Sequence, residues 1–438
     1  MNIGFLVLRD TFFKTMGSLI ELSIKRGHTV SLFYDPASVS GEKAYQRVTE
    51  KKLSVFKAMS ANLIEFQLKE FGELGKRYGL DVMVLPEGYH MLRAQLEDIA
   101  RLQASGTYVI SLNHFFEIAG NPIEALDYFD KTYYTSQFAL DTHFFLAKND
   151  SMTVGQLRRK YAPKYEIASS PMFDQLVGLD PKHFREEFSV PEGKKVVLFF
   201  APVLAPVTPW RYFVWRDPNR LMKVFRILKN RKWRFFFEAL RAQSFEDIAR
   251  EIRRFCDEND AYLIVKSRAK QQDPDYLVEI ADLYISGAGD TYYPVFTSYK
   301  LLSMADLCIA VMSMAVVEAI AAHLPVLNIY VPHLDYQARV NPLYLDKKNY
   351  LDAVMRIDQE GPFNFPGCVT TIDRRQFITW LSRKTMQDFV LDKAALYAYL
   401  DKFLGILQKL SSVRILDSLE KIIAGRKISA RAQQVDKR

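Results

Sequence analysis

Eight short apolar runs, each followed by a helix-length stretch, constrain this 438-residue chain more than any other feature of it. They are FLVL near Phe5, TVSLFY from Thr29, DVMVL from Asp81 and TYVISL from Thr107, then KVVLFFAP from Lys195, AYLIV from Ala261, DLCIAV from Asp306 and PVLNIYV from Pro325. A strand with one wet face alternates apolar and polar residues, whereas a strand covered on both faces is apolar nearly throughout. Runs of the second kind, separated by helices, specify parallel sheets sandwiched between helices. The series occurs twice, on either side of VGLDPKHFREEFSVPEGK (Val177 to Lys194), where turn residues and charges interrupt it. The fold class expected is therefore α/β, with two Rossmann-like, doubly wound domains. The first spans 1–176 and the second 190–375, followed by helices over 376–425 and a basic tail over 426–438.

Composition adds bounds. Hydrophobic residues at 49%, charged residues at 25% and a mean hydropathy of −0.09 describe an ordinary globular chain, without low-complexity segments or repeats. Three widely spaced cysteines, Cys256, Cys308 and Cys368, fit a reducing compartment and neither a disulfide framework nor a zinc site, so the cytosol is the expected location. The N-terminal MNIGFLVLRD is too short an apolar run for a signal peptide and reads as a first strand. Leu307 to Val331 is long enough to cross a bilayer, but Glu318, His323 and Pro325 in its middle make it a strand-helix-strand unit.

The net charge of +8 is concentrated. Between Trp210 and Arg254 there are thirteen Lys or Arg against five Asp or Glu, together with ten aromatic residues. Trp210, Arg211, Trp215, Arg231, Lys232, Trp233 and Arg234 are the residues through which such an insertion, 210–254, would meet an anionic membrane or another anionic partner. The competing reading is an amphipathic helical segment whose aromatics pack on its own domain. In the first domain the strand leads into a loop, RDTFFKTMGS, and then a helix ending at Gly27-His28. That loop lacks the G-x-G-x-x-G spacing, which argues against a dinucleotide held in the oxidoreductase manner.

The chemistry begins with VVEAIAAHLPVL, from Val316 to Leu327. A carboxylate in such apolar surroundings costs roughly several kcal/mol unless something pairs with it. The spacing Glu318-Ala319 to Pro325 resembles the nucleotide-sugar signature of GT-B glycosyltransferases, in which a helix starts at the diphosphate and its acidic residue meets the ribose hydroxyls. The family pattern has a glycine where this chain has His323, implying a differently shaped helix end. Three further stretches extend the resemblance to CDP-glycerol glycerophosphotransferases and related GT-B enzymes. AYLIV followed by Lys266-Ser267-Arg268 is similar to their strand and K-P-H turn. Ala168 to Leu176 (ASSPMFDQL) is similar to their G-x-P-R-x-D-x-L hinge, and Phe199-Phe200-Ala201-Pro202 to the strand end that opens their second domain. YKLLSMAD, from Tyr299, resembles the segment before the nucleotide site. The resemblance covers roughly Tyr165 to Pro332.

On that resemblance Lys266, Arg268, Ser313 and Glu318 are the expected donor-nucleotide residues. Arg268 stands where the family has histidine and Met172 where it has arginine, so glycerophosphate specificity is not carried over. A guanidinium fork suits a diphosphate, and Lys266 adds a point charge. Ser313 would cap the helix or bind phosphate at its positive end. Catalytic candidates lie at strand ends of the first domain: Glu87 in PEGYH, and His114 in NHFFE, similar in place to the W-H-G turn of the glycerophosphotransferases.

The implied function is transfer of a sugar from a nucleotide-activated donor (UDP-, CDP- or GDP-linked) to a lipid-linked or polysaccharide acceptor, peripheral to the inner face of a membrane. No redox cofactor and no metal are expected. The rival readings are CDP-glycerol-type polyol phosphotransfer, a nucleotide-sugar epimerase, and a non-catalytic GT-B shell that binds membrane or nucleic acid.

Overall fold

The computed structural model describes residues 1–38, 47–86, 92, 94–113, 122–147, 152–202, 245–267, 274–330, 360–405 and 409–435. Among them are two sheets, parallel throughout. The first comprises β1 (Asn2–Val7), β2 (Thr29–Tyr34), β3 (Asn62–Glu65), β4 (Val82–Pro86), β5 (Tyr108–Leu112), β6 (Lys131–Tyr134) and β7 (Tyr165–Ile167), in the order β3-β2-β1-β4-β5-β6-β7. The second comprises β8 (Lys195–Phe200), β9 (Ala261–Lys266), β10 (Leu283–Ile285), β11 (Leu307–Ala310), β12 (Val326–Tyr330) and β13 (Val369–Asp373), in the order β10-β9-β8-β11-β12-β13. Both orders run outward from a first strand and then reverse, the pattern of a doubly wound fold. Each of the eight apolar runs forms a strand, and β3, β6, β7, β10 and β13 are additional.

The chain divides into two compact units that are not contiguous in sequence. One holds residues 1–178, 291–296 and 400–438, the other 179–290 and 297–399. In the first unit the stretch expected as a loop, RDTFFKTMGS, is mostly helix, because a helix already runs over Phe12–Lys25 and buries Phe12, Phe13, Met16, Leu19 and Ile20. Gly17 in its middle makes room for a side chain from the 291–296 segment: a Cβ there would come within 2.1 Å of Tyr293 Cδ2. The Tyr293 ring stacks on Phe56 at 4.8 Å and its hydroxyl donates to Glu21. Gln175 ties the same segment down, its Nε2 donating to Lys14 O at 3.1 Å and its Oε1 accepting from Phe296 N at 2.9 Å.

The expected basic tail, 426–438, is instead largely the end of one helix, Ser411–Val435, since RKISARAQQV is rich in good helix formers. Arg26 pairs with Asp417 (2.7 Å) and Glu420 (3.0 Å), and Lys427 with Asp81 (2.9 Å).

In the second unit a helix over Phe245–Glu258 buries Ile248, Ala249, Ile252, Phe255 and Cys256, apolar positions at three and four spacing. Residues 245–254 are thus core helix and not part of an insertion. Their arginines meet acids: Arg250 with Glu246 (2.9 Å), Arg253 with Asp282 (2.7 Å), and Arg254 with Glu251 (2.5 Å). Leu307 to Tyr330 is strand, helix (Met314–Ala321) and strand. Among the described residues no helix is long and apolar enough to cross a membrane.

Candidate functional site

Doubly wound sheets bind ligands beyond the C-terminal ends of their strands, where the strand order reverses. In the second unit that point lies between β8 and β11, and in the first between β1 and β4.

From the end of β11 the chain turns through Val311, Met312 and Ser313 into the helix Met314–Ala321. Met312 holds φ at +38°, a value that L residues rarely adopt. Ser313 is the N-cap residue, extended at φ −134° and ψ 165°, yet its side chain makes no capping hydrogen bond. The first N–H groups of a helix have no partner inside it and carry the positive end of its dipole. Ser313 therefore leaves its hydroxyl available beside an electropositive terminus instead of spending it on the cap.

Glu318 lies in the second turn of this helix and is only 4% exposed. Its surroundings include the Tyr299 hydroxyl and the Cys308 thiol. Burial pushes both groups well up from their ordinary values, and the negative charge of Glu318 pushes them further. The helix ends with a backbone pattern that needs a left-handed residue: His323 N donates to Ile320 O (2.9 Å) and Leu324 N to Ala319 O (2.9 Å). His323 supplies it at φ +62°. The different helix end expected from the missing glycine is not found, because hydrogen-bonded closure and the burial of Leu324 hold histidine in the conformation glycine would adopt.

At the end of β9, in register with Phe200 of β8, Lys266 is 3% exposed and forms an ion pair with Asp290 at 2.8 Å, while also donating to Ser267 O at 2.8 Å. The point charge expected to face a diphosphate is thus already met inside the unit, since a buried ammonium needs a counter-charge. Ser267 Oγ in turn accepts from Gly287 N (3.3 Å), stitching this turn to the SGAGD loop after β10. Arg268 lies outside the described residues.

In the first unit, His114 and Glu87 lie outside the described residues, as do Trp210, Arg211, Trp215, Arg231, Lys232, Trp233 and Arg234 in the second. Asp10, which belongs to none of the motifs above, follows β1 and sits at the start of the helix Phe12–Lys25. It is 3% exposed; its Oδ2 takes the Lys52 ammonium, and its Oδ1 has no hydrogen-bond partner among the described residues. Burial pushes its carboxyl up, against the pull of Lys52. An aspartate directly after a buried first strand was the available signal. The other acid at this edge, Asp35, is occupied: it accepts from Ala37 N (2.8 Å) and Leu68 N (3.0 Å).

A cleft of about 850 Å³ lined by Lys182, Arg185, Ser189, Lys194, Lys195 and Asp306 lies elsewhere, at the N-terminal ends of β8 and β11. Among the described residues no cluster of three or more His, Cys, Asp or Glu could hold a metal ion.

No family model matches this chain, and no curated protein matches it in sequence. Solved structures do. A protein assigned as a UDP-N-acetylglucosamine 2-epimerase from Listeria monocytogenes is similar with a TM-score of 0.54 at 9% identity, over 96% of this chain and 95% of that one. The wall teichoic acid polymerase TagF is similar with a TM-score of 0.52 at 12% identity, over 97% of this chain and 89% of that one. At these identities the likeness is one of fold, and with the two sheets and their strand orders it identifies the chain as a GT-B fold protein.

Proposed function

We propose that this protein is a GT-B transferase that moves a sugar from a nucleotide-activated donor to an acceptor hydroxyl. The observation that carries the reading is the helix Met314–Ala321. Ser313, without a side-chain cap bond, stands at its positive end, and a buried carboxylate, Glu318, stands one turn further in, at the switch point of the second sheet. That is a place for a diphosphate and, beside it, a ribose diol. Lys266 shapes the neighbouring turn through Asp290, and Arg268 adds a guanidinium to the diphosphate.

In the reaction the acceptor oxygen forms a bond to the sugar's anomeric carbon. The bond from that carbon to the diphosphate breaks with its electron pair, and the acceptor's proton passes to a base. Positive charge at the helix start steadies the leaving diphosphate. Asp10, one of whose carboxylate oxygens has no hydrogen-bond partner among the described residues, joins His114 and Glu87 as a candidate base. The polymerase resemblance makes a lipid-linked or polysaccharide acceptor our reading, at the inner face of a membrane.

Titration calorimetry with UDP, CDP, GDP and CMP tests this. The parent binds at least one diphosphate; Glu318→Gln weakens that binding about ten-fold or more, as loss of a charge-assisted contact requires. Asp10→Asn leaves nucleotide affinity as it was while slowing transfer. A parent that binds none of the four overturns the reading. Unchanged affinity in Glu318→Gln removes the ribose role, and selective binding of CDP directs the donor class to polyol phosphates.

A further inference from the structure

β12 is apolar apart from one residue, Asn328, which is fully buried in the middle of a sheet. A buried carboxamide is costly unless every polar atom is matched. Here they are. Oδ1 accepts from Met312 N (3.0 Å), and Nδ2 reaches Phe363 O (3.0 Å), Thr371 Oγ1 (3.2 Å) and Met312 Sδ (3.2 Å). Register explains the reach, since Asn328 stands beside Ala310 of β11 and Thr371 of β13. Thr371 Oγ1 also donates to Phe363 O, so one carbonyl collects two donors.

The residue that Asn328 grips most fully is Met312, whose amide and sulfur it both contacts and whose φ of +38° is the strained point of the turn before the helix Met314–Ala321. An aliphatic residue in its place would pack as well and leave the Met312 amide without this acceptor. We propose that Asn328 is a positioning residue: its carboxamide locks the Met312 turn so that Ser313 and the first N–H groups of the helix face a bound diphosphate. This rests on the proposed function, because it assigns Asn328 to the anion end of that site. Asn328 does not touch the ligand; it acts through Met312.

The test compares diphosphate with bare nucleoside, since a general loss of stability does not separate the two ligands. With UDP and uridine, or the equivalent pair for the base the parent prefers, Asn328→Ala weakens the diphosphate about ten-fold or more, the equivalent of an oriented hydrogen bond, and the nucleoside about two-fold or less. Thr371→Val takes a donor from Phe363 O and an acceptor from Asn328 Nδ2 but leaves the Asn328 Oδ1 bond to Met312 N, and costs the diphosphate less than Asn328→Ala does. Equal losses for both ligands in Asn328→Ala, or a selective diphosphate loss in Thr371→Val as large as in Asn328→Ala, overturn the inference.

Should Asn328→Ala fail to fold, hydrogen exchange on the parent decides. The Met312 amide is protected before nucleotide is added, and those of Met314 and Ala315 only after; a Met312 amide that exchanges freely in the unliganded protein overturns it. A parent that binds no nucleotide overturns the proposed function and this inference together, whereas a binding parent with an indifferent Asn328→Ala overturns the inference alone.

Discussion

Two residues of this chain stand in the left-handed region where the GT-B sequence pattern has glycine: Ser169 at φ +63° and His323 at φ +62°. An L side chain pays about 1–2 kcal/mol for that conformation. Glycine would recover this but lose about 0.5–1 kcal/mol through a freer unfolded chain. The net prediction is that Ser169→Gly and His323→Gly each raise the free energy of unfolding by about 0.5–1 kcal/mol, measured by urea denaturation. The gain is larger at Ser169, which is buried with no hydrogen-bond partner for its hydroxyl among the described residues, than at exposed His323. Loss of stability in either would mean that its side chain contributes more than the strain costs. His323 was legible as a departure from a motif; that the backbone keeps its shape there in spite of it was not, because the hydrogen bonds enforcing it, from His323 N to Ile320 O and from Leu324 N to Ala319 O, belong to the folded helix end.

Among the elements, the eight runs that announced themselves are strands buried on both faces, whereas β3, β7, β10 and β13 are the outer strands of their sheets and β6 reads KTYY. An edge strand is covered on fewer sides, so its composition need not be apolar and its signal fades. The C-terminal helix shows a related limit. Its periodicity is visible in the sequence, but its cap is Asp174, far upstream, whose Oδ1 and Oδ2 accept from Ser411 N (2.9 Å) and Ser412 N (2.8 Å). Asp174→Ala should cost about 1–2 kcal/mol by removing this cap.

The pH dependence of that cost follows from the direction of the Asp174 shift. Burial pushes its carboxyl above the ordinary range, in spite of hydrogen bonds from the two serines that pull it down. The folded state therefore holds the proton more tightly than the unfolded chain. Its stabilising share is complete below the ordinary carboxylate value and is lost as pH rises through the raised one. The stability difference between parent and Asp174→Ala should accordingly be largest in acid and shrink towards neutral pH. A difference that grows with pH would reverse the assigned direction.

For the whole molecule, the positive excess has a sharper boundary than the sequence count suggested. Of the residues from 210 to 254, those before Phe245 hold ten Lys or Arg against two Asp or Glu, and the rest hold three against three, within a helix whose arginines are paired. We propose that the excess serves to meet anionic lipid. The protein should float with phosphatidylglycerol vesicles at low salt, not with neutral ones, and release partly at high salt, since such attraction fades within a Debye length. Glutamate at Arg231, Lys232 and Arg234 should abolish flotation; binding indifferent to lipid charge and to these changes would refute the proposal. Fold class was in the sequence itself, because burial on both faces forces a strand to be apolar along its length, and that pattern is local. The contacts that decide the site are not local. Asp290 neutralises Lys266, Tyr293 fills the notch above Gly17, Lys52 holds Asp10, and Asn328 reaches Met312, Phe363 and Thr371. Whether a charged or polar side chain faces a ligand or an internal partner depends on what surrounds it, and only the folded chain brings those partners together.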